Sequence, residues 1–241
     1  MRSAPDTIIL CGGAGVRLRS VTGAPKSMAT VAGRPFLELL LLQLKRYSVE
    51  RVILAVGYRS EVIRSHFGEQ MFGLQLAYST ELNPLGTGGA LRQASDLVES
   101  DLALVMNGDS YTDADIRNFL NHHYMSRADV SVLVVPVDGR SDCGAVMLED
   151  GDRIAAFHEK RKTSGSKYIN AGIYLMSRRI AQTIPSGVQV SLEQDVFPRW
   201  LAEGKHVRAH ADAVKCVDIG TPERYWRAQT SLARAKETRH P

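Results

Sequence analysis

Short apolar runs rich in β-branched residues alternate with segments of helical period through the first half of the chain, and that rhythm limits the folds open to it. "TIIL" (7–10) is followed by "PFLELLLLQLKRY" (35–47), "RVILAVG" (51–57), a helical stretch over 60–67 and "LQLAYS" (74–79). A helix over 87–97, the run "DLALVMNGDS" (101–110), a helix near 113–126 and "ADVSVLVVPV" (128–137) continue it. Such strand–helix–strand units predict an α/β fold, a Rossmann-like, doubly wound, mostly parallel sheet flanked by helices.

After about residue 130 the pattern changes. "CGAVMLEDGDRIAAFHEK" (143–160) sets the turn "EDGDR" between two half-polar strands, and "KYINAGIYLMS" (167–177) supplies another strand. The sheet is therefore expected to be mixed, with a small antiparallel portion added to the parallel core. A helical segment from Pro222 to about Arg234 precedes a basic tail, and no internal repeat interrupts the chain. At 241 residues and 44% hydrophobic content, one domain spanning 1–241 is expected.

Thirty Lys and Arg against 26 Asp and Glu leave +4, a mild excess that suits an anionic small substrate. It is too weak, and too little interleaved with aromatics, for nucleic acid; the densest basic run, "EKRKTSGSK" (159–167), reads as a solvated loop. Cys11, Cys143 and Cys216 form no CxxC pair, so neither a disulfide framework nor a zinc site is expected. No stretch reaches the roughly 18 to 20 apolar residues of a membrane span, and the first ten residues lack the apolar core of a signal peptide. A cytoplasmic location is the expectation.

The stretch "CGGAGVRLRSVTGAPKS" (11–27) follows the first apolar run. As a dinucleotide fingerprint it fails, because "GAGVRL" puts Leu18 at the third glycine and the second strand ends in Gly57 and Tyr58 where an acidic residue belongs. A Walker loop needs Gly-Lys-Ser/Thr at a spacing that does not occur. A third arrangement remains, in which residues 12–26 wrap a nucleoside triphosphate. Glycines there let backbone N–H groups approach, and Arg17 and Lys26 supply charge. A glycine-rich surface turn with two incidental cations is the bland alternative.

Other segments bear on that choice. "CGGAGVRL", "PKSM", "GRPFLE", "NPLGTGGAL", "NGDS", "FHEK", "NAGIY" and "DIGTP", in this order from residue 11 to 222, resemble the sugar-1-phosphate nucleotidyltransferase family. "RLRSV", "LGTGGAL" and "SLEQDVFP" are most similar to its D-glycero-α-D-manno-heptose 1-phosphate guanylyltransferases, which make GDP-heptose for bacterial surface polysaccharide such as capsule or lipopolysaccharide. The resemblance implies the nucleotide-diphospho-sugar transferase fold, with an NTP-binding half over about 1–128 and a sugar-phosphate-binding half over about 129–241. It also implies an enzyme that condenses GTP with heptose 1-phosphate, using Mg²⁺. Short members of the family are commonly dimers, so a homodimer is compatible with it.

By the same resemblance, Arg17 contacts the leaving phosphates and Lys26 the α-phosphate, while Ser27 replaces a common proline. Asp109 and Asp218, each at the end of an apolar run, hold the metal; either one taken singly also reads as a turn or capping aspartate. The base pocket comprises Leu10, Gly12, Gly13, Gly15, Glu81, Pro84, Gly86, Thr87 and Gly88. Glu81 stands where uridylyl and thymidylyl relatives tend to carry glutamine. A carboxylate only accepts, which matches guanine's N1–H and N2–H₂ and mismatches uracil; a glutamate that merely faces water at a strand end is the bland alternative. Gly144, Glu159, Lys160, Asn170 and Gly172 match the positions facing the sugar phosphate, and "SLEQD" is explained as a helix start capped by Ser191. Mannose 1-phosphate, or UTP or dTTP as nucleotide, is the runner-up chemistry. A silent sugar-nucleotide-binding subunit is the alternative from another class.

Overall fold

In the computed structural model, which describes residues 4–137, 144–158, 166–211 and 216–237, the alternation becomes β1 (Asp6–Leu10), α1 (Val16–Thr22), a small ribbon β2 (Thr30–Val31) and β3 (Arg34–Pro35), α2 (Phe36–Lys45), β4 (Arg51–Val56) and α3 (Ser60–Phe67). It continues with β5 (Gln70–Met71), β6 (Leu74–Thr80), α4 (Gly86–Ala94), β7 (Leu102–Asn107), β8 (Ser110–Thr112) and α5 (Ile116–Ser126). The second half adds β9 (Val130–Pro136), β10 (Ala145–Glu149), β11 (Arg153–His158), β12 (Tyr168–Ser177) and α6 (Arg178–Ala181). A π-helical turn Leu192–Val196 then leads into α7 (Phe197–Ala202), β13 (Val207–Ala211), β14 (Cys216–Asp218) and α8 (Pro222–Glu237).

Ten strands form one sheet in the order β10-β11-β13-β9-β12-β7-β1-β4-β6-β5. Strands β7, β1, β4 and β6 run parallel, as do β9 and β13. β12 lies antiparallel between β7 and β9, so β9 and β13 recover the direction of the first four. The hairpin signal at "EDGDR" is the β10–β11 connection, where Asp150 and Gly151 take positive φ of 39° and 83°. The mixed sheet expected from the sequence is found, with helices on both faces.

The unbroken apolar runs are explained by those two faces. Ile9, Leu54, Leu104 and Leu133 pack under α2, α5 and α8, whereas their neighbours Ile8, Ile53, Val105 and Val132 pack under α4 and α7. Adjacent residues of a strand point to opposite sides, so burial on both sides requires apolar residues at every position. On the second face Trp200 is fully buried, and its indole N–H donates to Thr183 Oγ1 at 3.1 Å. The parallel strands β1, β4 and β7 end together, where ligands of open α/β sheets gather.

Candidate active site

The glycine loop leaves β1 at that edge. Gly108 N donates to Leu10 O at 2.9 Å and Cys11 N to Ala55 O at 2.9 Å, tying the loop's root to β7 and β4. Leu18, which replaces the third glycine of a dinucleotide loop, is buried and anchors α1 in the core. The glycines divide by what surrounds them. A Cβ on Gly15, whose φ is +57°, would come within 2.8 Å of Lys26 Cβ, so this glycine lets Lys26 lie against the loop. A Cβ on Gly13 would meet nothing within 4 Å, which leaves that backbone open to a ligand.

A cleft of about 360 Å³ opens over this loop, lined by Leu10, Gly13, Gly15, Arg17, Lys26 and Asp109, together with Cys11, Val16, Ser27, Gly108 and Gly220. Arg17 is exposed at its rim. Lys26, in a 3₁₀ turn, forms an ion pair with Asp109, 83 residues away. The crevice desolvates Asp109, which alone would raise its pKa; the Lys26 ammonium and hydrogen bonds from Lys26 and Ser110 outweigh this and hold it below the ordinary aspartate range. Cys11 is pushed up to about 12 by burial and by the charge of Glu81, so it stays a thiol and offers no nucleophile.

Asp218 reaches the same place by another route. It ends β14, which belongs to a separate antiparallel ribbon with β8, where Asp218 is registered with Ser110. Ile219 N donates to Asp109 O at 3.0 Å, so the two aspartates flank one another across this ribbon. Asp218 Oδ1 accepts from Gly220 N at 2.9 Å and from Arg224 Nη1 at 2.8 Å. Among the described residues no group of three or more His, Cys, Asp or Glu could hold a metal. Two carboxylates with the rest of the ligands from substrate and water is the donor set that Mg²⁺ accepts, and these residues fit it.

Glu81 follows β6, and its N–H donates to Val56 O at 2.9 Å. Its Oε2 accepts from Leu85 N at 3.0 Å, and its Oε1 would lie 2.5 Å from a Cβ on Gly12 and 2.6 Å from one on Gly57. Only glycine at both positions admits the carboxylate. Burial raises its pKa, which the Leu85 N–H offsets only in part.

The rest of the expected base pocket has work inside the protein. Gly86 (φ +69°) and Gly88 would place a Cβ 2.5 Å from Val190 O and 2.9 Å from Val196 Cγ2, and Gly88 N donates to Val190 O at 2.9 Å. Thr87 Oγ1 donates to Glu193 Oε2 at 3.1 Å and accepts from Leu192 N at 2.8 Å. These three residues seat the segment around the π-helical turn on α4, and Pro84 is exposed beside them. Ser191 does cap that turn, accepting from Gln194 N at 3.2 Å. Glu193 does more than start a helix, since its Oε1 also accepts from Tyr174 Oη at 3.1 Å.

On the sugar side, Gly172 sits in a bulge of β12 at φ +73°, where a Cβ would strike the Asn107 side chain at 2.7 Å. Asn170 Oδ1 accepts from Gly172 N at 2.9 Å and its Nδ2 donates to Tyr174 Oη at 2.8 Å; Gly144 O accepts from Asn170 N at 3.0 Å. These residues adjoin one another but do not line the cleft. Glu159 and Lys160 lie outside the described residues. Gly57, Gly220 and Arg224 are site neighbours that the sequence reading did not single out. For Arg224 a signal existed, because a cation in the first turn of a helix opposes the dipole unless an anion is near.

Comparison with known proteins bears on this geometry. The description of the nucleotidyl transferase family matches residues 6–235. Mannose-1-phosphate guanylyltransferase of Mycobacterium tuberculosis is 40% identical over 95% of the chain, which spans 65% of that relative's length. D-glycero-alpha-D-manno-heptose 1-phosphate guanylyltransferase of Aneurinibacillus thermoaerophilus is 34% identical over 94% of this chain and 98% of its own. Among solved structures, HddC from Yersinia pseudotuberculosis, known also complexed with GMP-PN, superposes with a TM-score of 0.84 at 31% identity, covering 95% of this chain and 100% of that one.

Proposed function

The chain belongs to the nucleotidyl transferase family, and from that premise we propose that it condenses GTP with a sugar 1-phosphate, D-glycero-α-D-manno-heptose 1-phosphate in the first instance. A phosphate oxygen of the sugar attacks the α-phosphorus, the bond to the β-phosphate oxygen breaks, and pyrophosphate leaves. No protein nucleophile is needed. The residues have to gather two mutually repelling polyanions, align them and offset charge as it moves to the leaving group.

The observation that carries this reading is the convergence of Lys26, Asp109, Asp218 and Gly220 beside the glycine loop. Lys26 meets the α-phosphate region and Arg17 the leaving phosphates, each charge-assisted contact contributing on the order of a few kcal/mol in a water-poor site. Asp109 and Asp218 would hold Mg²⁺, which when bound would supply positive charge against the phosphates. Leu10 and the open backbone at Gly13 floor the nucleotide pocket, Gly12 seats the Glu81 carboxylate beside them, and Glu81 accepts from the guanine N1–H and N2–H₂. Glu159, Lys160, Asn170, Gly172 and Gly144 belong to the sugar-phosphate side.

The heptose assignment draws on the likeness to the heptose 1-phosphate enzyme, which the chain matches over 98% of that relative's length. Mannose 1-phosphate is the second reading, favoured by the higher identity to the mycobacterial enzyme. The two sugars share the manno configuration and differ in chain length. Pyrophosphate release measured with each of four nucleoside triphosphates against heptose and mannose 1-phosphates tests both readings. GTP with the heptose is expected to be fastest; tight GTP binding without pyrophosphate from any sugar phosphate would instead mark a silent binding subunit.

A further inference from the structure

Both carboxylates assigned to the metal are already paired with cations of the protein. Asp109 is paired with Lys26 and Asp218 with Arg224, and the side chains of the second pair are only 15% and 16% exposed. The pairs are neighbours. Asp218 Oδ1, Lys26 Nζ and Arg224 Nη1 lie 3.0, 3.6 and 3.7 Å from the point a Cβ on Gly220 would occupy. Arg224 stands in the first turn of α8, where the helix dipole disfavours a cation, and its bond to Asp218 is what the fold offers in return.

Resting on the functional reading above, we propose that Arg224 makes this crevice refuse a divalent ion until the nucleotide arrives. Arg224 occupies Asp218 and Lys26 occupies Asp109, so an ion alone must displace two cations from the carboxylates it needs. A triphosphate changes this balance. Its oxygens accept both released cations and complete an ion site for which the described residues provide no third carboxylate, thiol or imidazole ligand. Arg224 is thus a positioning residue that couples ion and nucleotide binding and enforces their joint entry.

Mn²⁺ binding to the intact protein, followed by the electron paramagnetic resonance of the free ion with and without GTP, tests this without any turnover. Wild type is expected to bind Mn²⁺ weakly alone and at least tenfold more tightly with GTP. Arg224→Gln should tighten binding of Mn²⁺ alone by about tenfold and shrink the GTP effect, because a charged competitor for Asp218 is gone. Arg224→Lys should restore the wild-type pattern, and thermal unfolding of both variants reports that they are folded. Unchanged or weaker binding of Mn²⁺ alone to Arg224→Gln would overturn the coupling while leaving the functional reading intact. Wild type that retains no Mn²⁺ even with GTP would remove the functional reading, and this inference with it.

Discussion

Replacing Glu81 by glutamine separates base recognition from everything else the crevice does. The carboxylate is seated over Gly12 and Gly57, with Oε2 held by Leu85 N, so glutamine occupies the same space with one acceptor turned into a donor. Guanine's N1–H and N2–H₂ then lose one charge-assisted hydrogen bond, worth about 1.5–3 kcal/mol. At about 1.4 kcal/mol per decade, the preference for GTP over UTP in kcat/KM should fall roughly 10- to 150-fold. Because ITP lacks the 2-amino group, the GTP to ITP ratio should fall as well.

The pH dependence adds a second readout. Burial raises the Glu81 pKa, so the folded protein binds that proton more readily than the unfolded chain. The group therefore costs stability as pH rises out of the carboxyl range, and Glu81→Gln should not lower the unfolding temperature at neutral pH. The ionised form is the one that accepts from guanine, so GTP affinity should weaken on acidification above the usual glutamate range in wild type and stay flat in the variant. Unchanged GTP to UTP and GTP to ITP ratios in Glu81→Gln would refute the assignment of base reading to this residue.

Lys26→Ala and Asp109→Asn should each reduce turnover by roughly two or more orders of magnitude, because each removes charge that acts on the transition state. Each also takes one partner from the Lys26–Asp109 pair, so the melting temperature should fall modestly while the variants stay folded; a variant that unfolds instead has a structural role at that position. His123, bonded to Ser131 Oγ at 2.8 Å, is pulled down from 6.5 to about 4 by burial and by His122. Its contribution to stability is complete above pH 6.5 and is lost as pH falls toward 4, so His123→Gln should flatten the drop in melting temperature across that window. Trp200→Ala should cost about 3–5 kcal/mol. For a chain of this size that lowers the melting temperature by roughly 6–20 °C, measurable by calorimetry.

Much of the architecture is local information. The unbroken apolar runs of β1, β4, β7 and β9 require strands covered on both faces, and the "EDGDR" turn requires a hairpin, because side-chain period and turn chemistry act over a few residues. The glycine loop with Arg17 and Lys26 is legible for the same reason: the cations and the open backbone lie within one short segment. Order among the strands is another matter. β12 lies between β7 and β9, against the chain order, because burial is shared among all strands and no single run carries that preference.

The site divides along the same line. Residue types suited to phosphate, guanine and a hard cation stand in the sequence by themselves, whereas their pairing does not. Lys26 meets Asp109 across 83 residues, Thr87 meets Glu193 across 106, and Asp218 joins Asp109 through a ribbon outside the main sheet. Gly86 and Gly88, expected at the nucleotide, also prove to be where the Val190 segment packs. A strand or a turn is decided by its own neighbours in the chain. An ion pair between residues as distant as Lys26 and Asp109 exists only once the whole core has closed around it, whereas Arg224 and Asp218, six residues apart, are brought together by the turn from β14 into α8.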